Sequence, residues 1–548
     1  MFIEIETVKA IDYQLCIIGA GPAGIILALE YANANPHQKI LLVECGKNVT
    51  TTNPLDDSIR VSNSQNHHDP YDCTNKGLGG STASWGGRCV MYDDIDFIPH
   101  GPVQSNCTWG PEFLESVRPY LQSACDYFNC GRAQFELENP KPIAENFRSS
   151  SVTDHHIERW SLPTRFGTEY GRQLKSSENI HVLAGYYASN VGQLDANNCV
   201  NSVELRSLNE ESTHSVNAEK FVFCAGGQES TRLLLKSPHL FKNLSSIPAS
   251  LGKYYQGHSS GKIAFVKFYG NHQKTEFAFT MDTDGTYCRR RFQFSKDAII
   301  QNRILNIAFW LDIPPVYDPA HRNGTLSFIY LMMISPVLRK ILLPPAIARS
   351  LTAEKKNGIR DHVWNVLRGL PVSLTLPAVI FVKRYLRRRK LPGVYLLSKE
   401  NRYAIHFHSE QVPAERNQIA LSENGQQLEI HYEYTDDDID SVIQSHELLD
   451  EYLRHIGCGE LQYLHDKSDL PGVIRNTSKD GLHQMGTTRI SKTPEDGVVN
   501  FDLRVWGTEN LYVCSSSVFP TSSQANPTFF LGACAVRLAA HLSKLART

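Results

Sequence analysis

The first clear pattern in the chain is a pair of short apolar runs separated by a glycine turn and an apolar helix. Residues 13–18 read YQLCII and residues 39–44 read KILLVE, which is typical of strands buried on both faces. Between them, GAGPAG at 19–24 leads into IILALEYANAN, a helical pattern. The order of strand, turn, helix and strand predicts the start of an α/β fold.

The turn carries Gly19, Gly21 and Gly24, and an acidic residue, Glu44, ends the second strand. Glycines at this spacing let the backbone turn tightly and approach a pyrophosphate, whose charge the helix N-terminus favours. Glu44 follows Gly24 by 20 residues, where a carboxylate can accept hydrogen bonds from a ribose. The combination predicts a dinucleotide site, and a glycine-rich turn without a ligand is the alternative.

A second glycine cluster, GLGGSTASWGGR at 77–88, favours FAD over NAD. Glycines beside small hydroxyl residues allow backbone to lie flat against a large planar ring system. A flexible linker is the alternative, which Trp85 and Arg88 disfavour. The candidate cofactor residues here are Gly79, Gly80, Ser81, Ser84 and Trp85.

A further buried strand, a turn and a helix are predicted over residues 220–236, which read KFVFCAGGQESTRLLLK. Ala225 lies at the turn and is another cofactor candidate. From about Ser259 the pattern changes to period-two alternation, as in KIAFVKFYG and ILNIAFWLDI. Such alternation predicts an antiparallel sheet in a second lobe, resuming at RYAIHFHSEQVP and NQIALSE. His406 and His408 share one face of it, but no third ligand is evident and we predict no metal site.

Residues 325–392 form an apolar insertion broken by prolines. Its apolar runs are shorter than the roughly 20 residues that span a bilayer. We favour a helical lid or packing insertion. The alternative is a peripheral membrane contact, in which basic residues meet anionic lipid: Lys383, Arg384, Arg387, Arg388, Arg389 and Lys390.

Composition narrows the class of protein. At 548 residues the chain is long enough for two lobes, and 41% hydrophobic with 20% charged residues describes a folded protein. The net charge of -2 argues against a nucleic-acid partner. Thirteen dispersed cysteines and an N-terminus without a signal-peptide pattern lead us to expect a reduced, cytoplasmic protein.

The C-terminal stretch, residues 481–542, holds the candidate chemistry. It offers His483 beside a Gly-Thr step, a short strand at 511–514, a hydroxyl-rich loop and a helix that opens at Asn526-Pro527-Thr528. A polar loop before a helix start can hold a ligand, because the first helical N–H groups lack intrahelical partners. A lone histidine is more often structural, so this segment needs support from elsewhere.

Taken together, these motifs resemble the glucose-methanol-choline (GMC) oxidoreductase family in content and order. The resemblance runs from the Gly19 turn through GGSTASWGG, FCAGGQESTRLLL and EQVPAERNQIALS to HQMGTTRI and SSQANPT. It implies a Rossmann-like FAD-binding domain built from residues 1–110, 194–258 and 481–548. A substrate-binding α+β domain would then comprise residues 111–193 and 259–480.

The resemblance also implies the roles of the C-terminal residues. His483 matches the catalytic histidine, which takes the hydroxyl proton while a hydride passes to flavin N5. Asn526 matches its partner and can donate to the substrate oxygen as charge develops there. Because this partner is asparagine, the chain looks most like the branch of pyranose oxidase and the sugar and aminocyclitol dehydrogenases. Four residues are implied cofactor contacts: Ser515, Asn526, Pro527 and Thr528.

Two departures from the family pattern matter. Ser84 stands where pyranose oxidase has the histidine that attaches its flavin, so we predict non-covalent FAD. Ser515-Ser516-Ser517 replaces an Asp-Ala-Ser run of many relatives, and hydroxyls replace that carboxylate only in part.

The leading functional hypothesis is FAD-dependent oxidation of a sugar, glycoside or aminocyclitol hydroxyl, with an electron acceptor that the sequence does not name. Oxidation of an apolar alcohol, such as a sterol, terpene or lipid, is the alternative within enzymes, and the insertion supports it. A non-catalytic flavin-binding protein is the alternative from another class, which the presence of both His483 and Asn526 disfavours.

Overall fold

The computed structural model describes residues 1–46, 59–335 and 358–547, apart from positions 277, 315, 318, 394, 395, 397 and 399. The strands are β1 (Tyr13–Ile18), β2 (Ile40–Glu44), β3 (Ile59–Val61), β4 (Arg88–Cys89), β5 (Val152–Thr153), β6 (Ile157–Trp160), β7 (Ile180–Ala184), β8 (Tyr186–Val191), β9 (Ser202–Ser207), β10 (Thr213–Phe223), β11 (His258–Phe268), β12 (Thr280–Met281), β13 (Tyr287–Arg290), β14 (Phe292–Phe294), β15 (Ile307–Asp312), β16 (Arg402–Glu410), β17 (Gln418–Leu421), β18 (Leu428–His431), β19 (Gly459–Tyr463) and β20 (Leu511–Val513). The helices are α1 (Ile5–Val8), α2 (Pro22–Ala34), α3 (Pro70–Cys73), α4 (Pro111–Val117), α5 (Leu121–Phe128), α6 (Phe166–Glu169), α7 (Gly171–Ser176), α8 (Gly226–Leu235), α9 (Lys296–Asn302), α10 (Gly324–Met333), α11 (Ile359–Arg368), α12 (Val372–Phe381), α13 (Asp436–His455), α14 (Leu470–Thr477) and α15 (Pro527–Leu545).

The first sheet contains the predicted strand, glycine turn, helix and strand. Its strand order is β7-β2-β1-β10-β9-β8, and β20 also pairs with β10. β1 runs parallel to both β2 and β10, with Ile18 opposite Val43 and Phe223. Apolar residues of these strands, α2 and α15 form one buried core, as the unbroken apolar runs predicted.

The second sheet is antiparallel, as the alternating pattern predicted. Its order is β19-β11-β16-β15-β14-β5, with β16 between β11 and β15. α13 contributes Ile439, Val442 and Leu449 to the core that this sheet shares with its helices. The α/β fold with a second, largely antiparallel unit is therefore confirmed.

Two segments lie elsewhere than the sequence indicated. Residues 111–193 were assigned to the substrate-binding domain, but β7 pairs with β2 in the first sheet because its apolar side chains are buried beside that strand. α4 and α5 also contribute Phe113 and Phe128 to the first core. The NQIALSE segment forms β17, which belongs to a separate three-stranded sheet with β18 and β3 rather than to the six-stranded sheet.

The insertion is helical where the structure describes it. α10, α11 and α12 are followed by a π-helical turn at Val382–Leu386, and residues 336–357 lie outside the described residues. Within the described ranges, no single helix is long and apolar enough to cross a membrane. α11 and Val372–Arg384 meet the length and hydropathy criteria only as a pair, bent by 97°.

Candidate active site

A cleft opens where β1, β2, β10 and β20 end, lined by Ile18, Glu44, Cys224 and Cys514 among others. The cleft encloses an empty volume of about 1340 Å³, part of which is open to solvent. Ten of the predicted cofactor residues line it: Gly19, Gly21, Glu44, Gly80, Ser81, Trp85, Ala225, Ser515, Pro527 and Thr528.

Glycines shape this cleft for close approach of a ligand. A Cβ atom added at Gly21 or Gly226 would meet no atom within 4 Å, so both positions face open space. Gly21 is the N-cap of α2 and Gly226 begins α8, so two helix starts, whose first N–H groups lack intrahelical partners, lie at the cleft wall. At Gly19, φ is +105° and a Cβ would come 2.5 Å from the Cys224 carbonyl oxygen. These features fit a dinucleotide phosphate group.

Glu44 joins three loops around the cleft. Its Oε1 accepts from the backbone N–H groups of Gly77 at 2.8 Å and Gly46 at 3.1 Å. Its Oε2 accepts from the N–H of Ala20 at 2.8 Å. A carboxylate oxygen can accept more than one hydrogen bond, so Oε2 keeps capacity for a ribose hydroxyl.

Three predicted cofactor residues lie behind the cleft wall. A Cβ at Gly24 would come 2.0 Å from the Gly19 carbonyl oxygen, so this glycine allows α2 to pack closely on the turn. Gly79 has φ of +96°, and a Cβ there would come 2.4 Å from the Gly167 nitrogen. Ser84 is exposed and accepts from Asn75 Nδ2 at 2.6 Å. These residues support the cleft without lining it.

The loop that presents Trp85 is fixed by contacts the sequence did not indicate. The indole Nε1 donates to the Thr164 carbonyl oxygen at 2.9 Å, and the ring packs on Phe128 at 5.5 Å. Arg165 donates from Nη1 to the carbonyl oxygens of Thr82 and Trp85, at 2.8 and 2.6 Å. The wall of the cleft is therefore held in place by the segment after β6.

His483 and Asn526 meet beside the cleft. Asn526 Nδ2 donates to His483 Nε2 at 2.8 Å. Asn526 is the N-cap of α15, and among the described residues its buried Oδ1 has no partner. Leu482, Gln484 and Pro527, which neighbour the pair in the chain, line the cleft. The pair thus presents an unused acceptor at this wall.

Asp480 holds the opposite side of the His483 ring. Its Oδ2 lies 3.0 Å from His483 Nδ1, and its Oδ1 accepts from the N–H groups of Leu482 at 2.9 Å and His483 at 3.2 Å. Burial would raise the pKa of Asp480, but charge and hydrogen bonding from His483 and His258 hold it well below its ordinary value. An ionised carboxylate at Nδ1 assigns the proton to that nitrogen and leaves Nε2 as the acceptor, which the Asn526 amide occupies.

Two further histidines pack around His483. His258 Nε2 donates to the Ser522 carbonyl oxygen at 3.2 Å, so its Nδ1, 3.0 Å from His483 Nδ1, is an acceptor. His408 stacks on His258 at 4.1 Å and donates from Nδ1 to the Gln524 carbonyl oxygen at 2.7 Å. Burial lowers the pKa of both His258 and His408, which are therefore neutral at neutral pH.

This cluster corrects one sequence inference. No third ligand was expected near His406 and His408, but ring nitrogens of His258, His408 and His483 lie within 4.8 Å of one another. His406 is not part of the group, because it stacks on Trp310 at 4.4 Å. Both nitrogens of His258 and of His483 already bond protein groups, so a cation would have to displace these bonds. We interpret the cluster as a hydrogen-bonded unit.

Sequence reasoning missed Asp480 and His258 as neighbours of the catalytic candidate. Asp480 precedes His483 by three residues, which is a readable signal in DGLH. His258 comes from the first residue of β11, 225 residues earlier, and only the folded chain brings it to the site.

Comparisons with known proteins agree with this geometry. Residues 413–535, which include both His483 and Asn526, match the model of the GMC oxidoreductase family. The C-terminal part of the chain is therefore similar to the GMC oxidoreductase family. The resemblance found in the sequence is thereby confirmed at the level of the family, and the branch within it stays a prediction.

A curated relative of this chain is the 2-methyl-1,2-propanediol dehydrogenase of Mycolicibacterium austroafricanum. It is 27% identical over 150 residues, and the alignment covers 26% of this chain and 26% of the relative. The match therefore spans about a quarter of that enzyme.

Solved structures resemble the chain over nearly its whole length. Pyridoxine 4-oxidase from Mesorbium loti has a TM-score of 0.53 at 15% identity, covering 97% of this chain and 99% of its own. A fungal aryl-alcohol oxidase has a TM-score of 0.52 at 14% identity, covering 98% and 100%. An FAD-dependent oxidoreductase from Chaetomium thermophilum also has a TM-score of 0.52, at 13% identity and with the same coverage. These likenesses establish the fold.

Proposed function

We propose that this chain binds FAD in the cleft and oxidises an alcohol CH–OH group to a carbonyl. The observation that carries the proposal is the His483–Asn526 contact at the cleft wall, with Asp480 bonded to the far side of the imidazole. A buried carboxylate, an imidazole and an amide donor at one point provide a base and an oxyanion donor together.

His483 acts as the base in this proposal. With the proton on Nδ1, the Nε2 lone pair accepts the substrate hydroxyl proton once the substrate oxygen replaces the Asn526 amide at that nitrogen. Asp480 stabilises the imidazolium that results, through the contact at Nδ1. His258 and His408, both neutral, surround the ring without adding a competing charge.

Asn526 acts on the substrate oxygen. Its Nδ2 donates to His483 Nε2 at 2.8 Å, so an oxygen that hydrogen-bonds to the base lies close to this amide as well. The amide N–H stabilises negative charge as the proton leaves.

FAD supplies the hydride acceptor when bound. The residues that would hold it are the helix starts at Gly21 and Gly226, the Glu44 carboxylate, the Gly80–Trp85 loop and the Pro527–Thr528 step. The proposal includes non-covalent attachment of the FAD and a second electron acceptor that reoxidises it.

For the substrate, we retain the sugar, glycoside or aminocyclitol class, which the asparagine at position 526 supports through the family resemblance. An apolar alcohol is the second candidate. The outward-facing apolar residues of α11 and α12 favour it, because such a surface can contact lipid that contains the substrate.

Anaerobic bleaching of the flavin tests the proposal. FAD-loaded protein is mixed with sugars, aminocyclitols, diols, aromatic alcohols and long-chain alcohols, and flavin absorbance is followed with the carbonyl product identified. Fast bleaching by a polyol supports the first class, and bleaching only by apolar alcohols supports the second. A protein that holds FAD but is reduced by none of them would refute alcohol oxidation and favour a non-catalytic flavoprotein.

A further inference from the structure

Helices α11 and α12 of the insertion bury polar residues and expose apolar ones. The buried residues of α11 are His362 and Asn365, and those of α12 are Ser373 and Pro377. Large apolar side chains of this segment point to solvent instead: Ile359, Val363, Trp364, Leu367, Leu370, Val372, Leu374, Val379, Phe381, Val382 and Leu386. A helix on the surface of a soluble protein normally buries its apolar side chains and exposes its polar ones.

Specific hydrogen bonds hold α11 in this orientation. His362 Nδ1 lies 2.9 Å from Ser327 Oγ on α10. Asn365 Nδ2 donates to the Pro319 carbonyl oxygen at 2.9 Å and to Ser327 Oγ at 3.2 Å. Because the buried polar groups of His362 and Asn365 are paired, turning α11 over would leave them unsatisfied. The outward apolar face is therefore the stable arrangement.

The exposed apolar residues are concentrated, not scattered. Of the 21 large hydrophobic residues exposed in the described chain, 11 fall within residues 359–386. Single exposed apolar residues need no explanation, but a contiguous set marks a contact surface.

Positive charge borders this apolar face. Residues 358–392 contain eight Lys and Arg residues and one acidic residue, Asp361, although the whole chain has a net charge of -2. The exposed cations after α12 are Lys383, Arg387, Arg388 and Lys390. An apolar face next to basic residues is complementary to a lipid surface with anionic headgroups.

The shape favours lying on a bilayer over crossing it. Each helix has 10 residues, about 15 Å in length, against a hydrocarbon core of roughly 30 Å. The bend of 97° prevents the pair from forming one straight span. A second copy of the chain fits poorly, since a two-fold contact through this face would bring like charges together.

We propose that residues 358–390 dock this protein on an anionic lipid surface, with the apolar residues of α11 and α12 in the interface and the basic residues at the headgroups. Arg389 Nη1 donates to the carbonyl oxygens of Asn129 and Trp160, both at 3.1 Å. The Lys390 N–H donates to the Leu162 carbonyl oxygen at 3.0 Å. These bonds fix the docking surface to β6 and the loop that follows it.

Vesicle flotation of the full-length chain tests the inference independently of catalysis. We expect the protein to float with phosphatidylcholine vesicles that contain phosphatidylglycerol, and much less with phosphatidylcholine alone. Binding should weaken about fivefold for each exposed cation replaced by glutamine. The variant K383Q/R387Q/R388Q/K390Q should therefore lose flotation, and added salt should weaken wild-type binding.

A matched pair of variants tests the apolar contact. W364E/L367E replaces side chains that are 52% and 54% exposed, and M281E/I247E replaces side chains that are 59% and 49% exposed away from the insertion. Only the first should abolish flotation, with melting temperature reporting on folding. If W364E/L367E does not fold, flotation of K383Q/R387Q/R388Q/K390Q decides whether the segment binds lipid. Absence of wild-type binding to anionic vesicles, equal loss in both glutamate variants, or a dimer in sedimentation that W364E/L367E dissociates would overturn the proposal.

Discussion

Replacement of Asp480 by asparagine tests the ring-positioning contact, together with the bond that Asp480 Oδ2 accepts from the His258 N–H at 2.7 Å. The change keeps the side-chain shape and one oxygen, which can still accept from the N–H groups of Leu482 and His483. It removes the negative charge 3.0 Å from His483 Nδ1. An amide N–H placed there can also donate to Nδ1, which would shift the ring proton to Nε2 and block proton acceptance.

The size of the effect follows from the contact that is lost. A hydrogen bond to a charged group contributes about 1.5–3 kcal/mol, which is about 10- to 100-fold in rate if it stabilises only the imidazolium. Asp480 is buried and carries its charge in the folded state, so water does not replace that contact. We expect the limiting rate of flavin reduction to fall by at least about tenfold, and further where the tautomer inverts.

Anaerobic rapid mixing over a range of substrate concentrations measures this. The limiting rate should fall while the half-saturating concentration and the FAD content stay near wild-type values. Asp438→Asn is the matched control, because Asp438 is a buried carboxyl bonded to Thr435 and the Val412 N–H. A limiting rate of Asp480→Asn within threefold of wild type, with FAD bound, would refute the positioning role.

Three further predictions concern the cleft and stability. Gly21→Ala should keep the fold but weaken FAD binding at least tenfold by titration, whereas Gly24→Ala should lower the melting temperature, since only its Cβ overlaps backbone. Burial lowers the pKa of His100, but the charge and hydrogen bond of Glu410 outweigh it and raise the pKa to about 9. This pair therefore stabilises the fold fully below about pH 6.5 and loses up to about 3 kcal/mol as pH rises through 9. Denaturant unfolding should show that slope, lost in His100→Gln but kept in a variant of His446, whose pKa burial lowers to about 4. Acid precipitation should leave the flavin in the supernatant, and a yellow pellet would contradict non-covalent binding.

Much of the first sheet could be predicted because its signals are local. The apolar runs at 13–18 and 39–44 became β1 and β2, and the turn between them places Gly19 and Gly21 on the cleft. The placement of β7 could not be predicted in the same way. Its pairing with β2 joins residues about 140 positions apart, and no motif in residues 111–193 marks which sheet they join.

In the candidate site, too, residues could be predicted from local sequence, whereas contacts that depend on the folded chain could not. His483 and Asn526 could be named from their segment, but the Asp480 contact depends on a loop conformation that spacing alone does not specify. His258 reaches the ring from β11, and its role follows only from the packed structure. The glycine spacing does not distinguish a ligand contact at Gly24 from helix packing, so the cofactor role of Gly24 stays a prediction.

The central claim is that His483 is the catalytic base. The rate at which an alcohol reduces the flavin bound to a His483→Ala variant tests it most directly. Wild type and variant are loaded with FAD, their flavin content is matched, and reduction by the best alcohol of the panel is followed without oxygen. We predict that the variant retains FAD and is reduced about 10²–10⁴-fold more slowly, because general-base catalysis contributes about that factor. Reduction at the wild-type rate would contradict the assignment of His483 as the base.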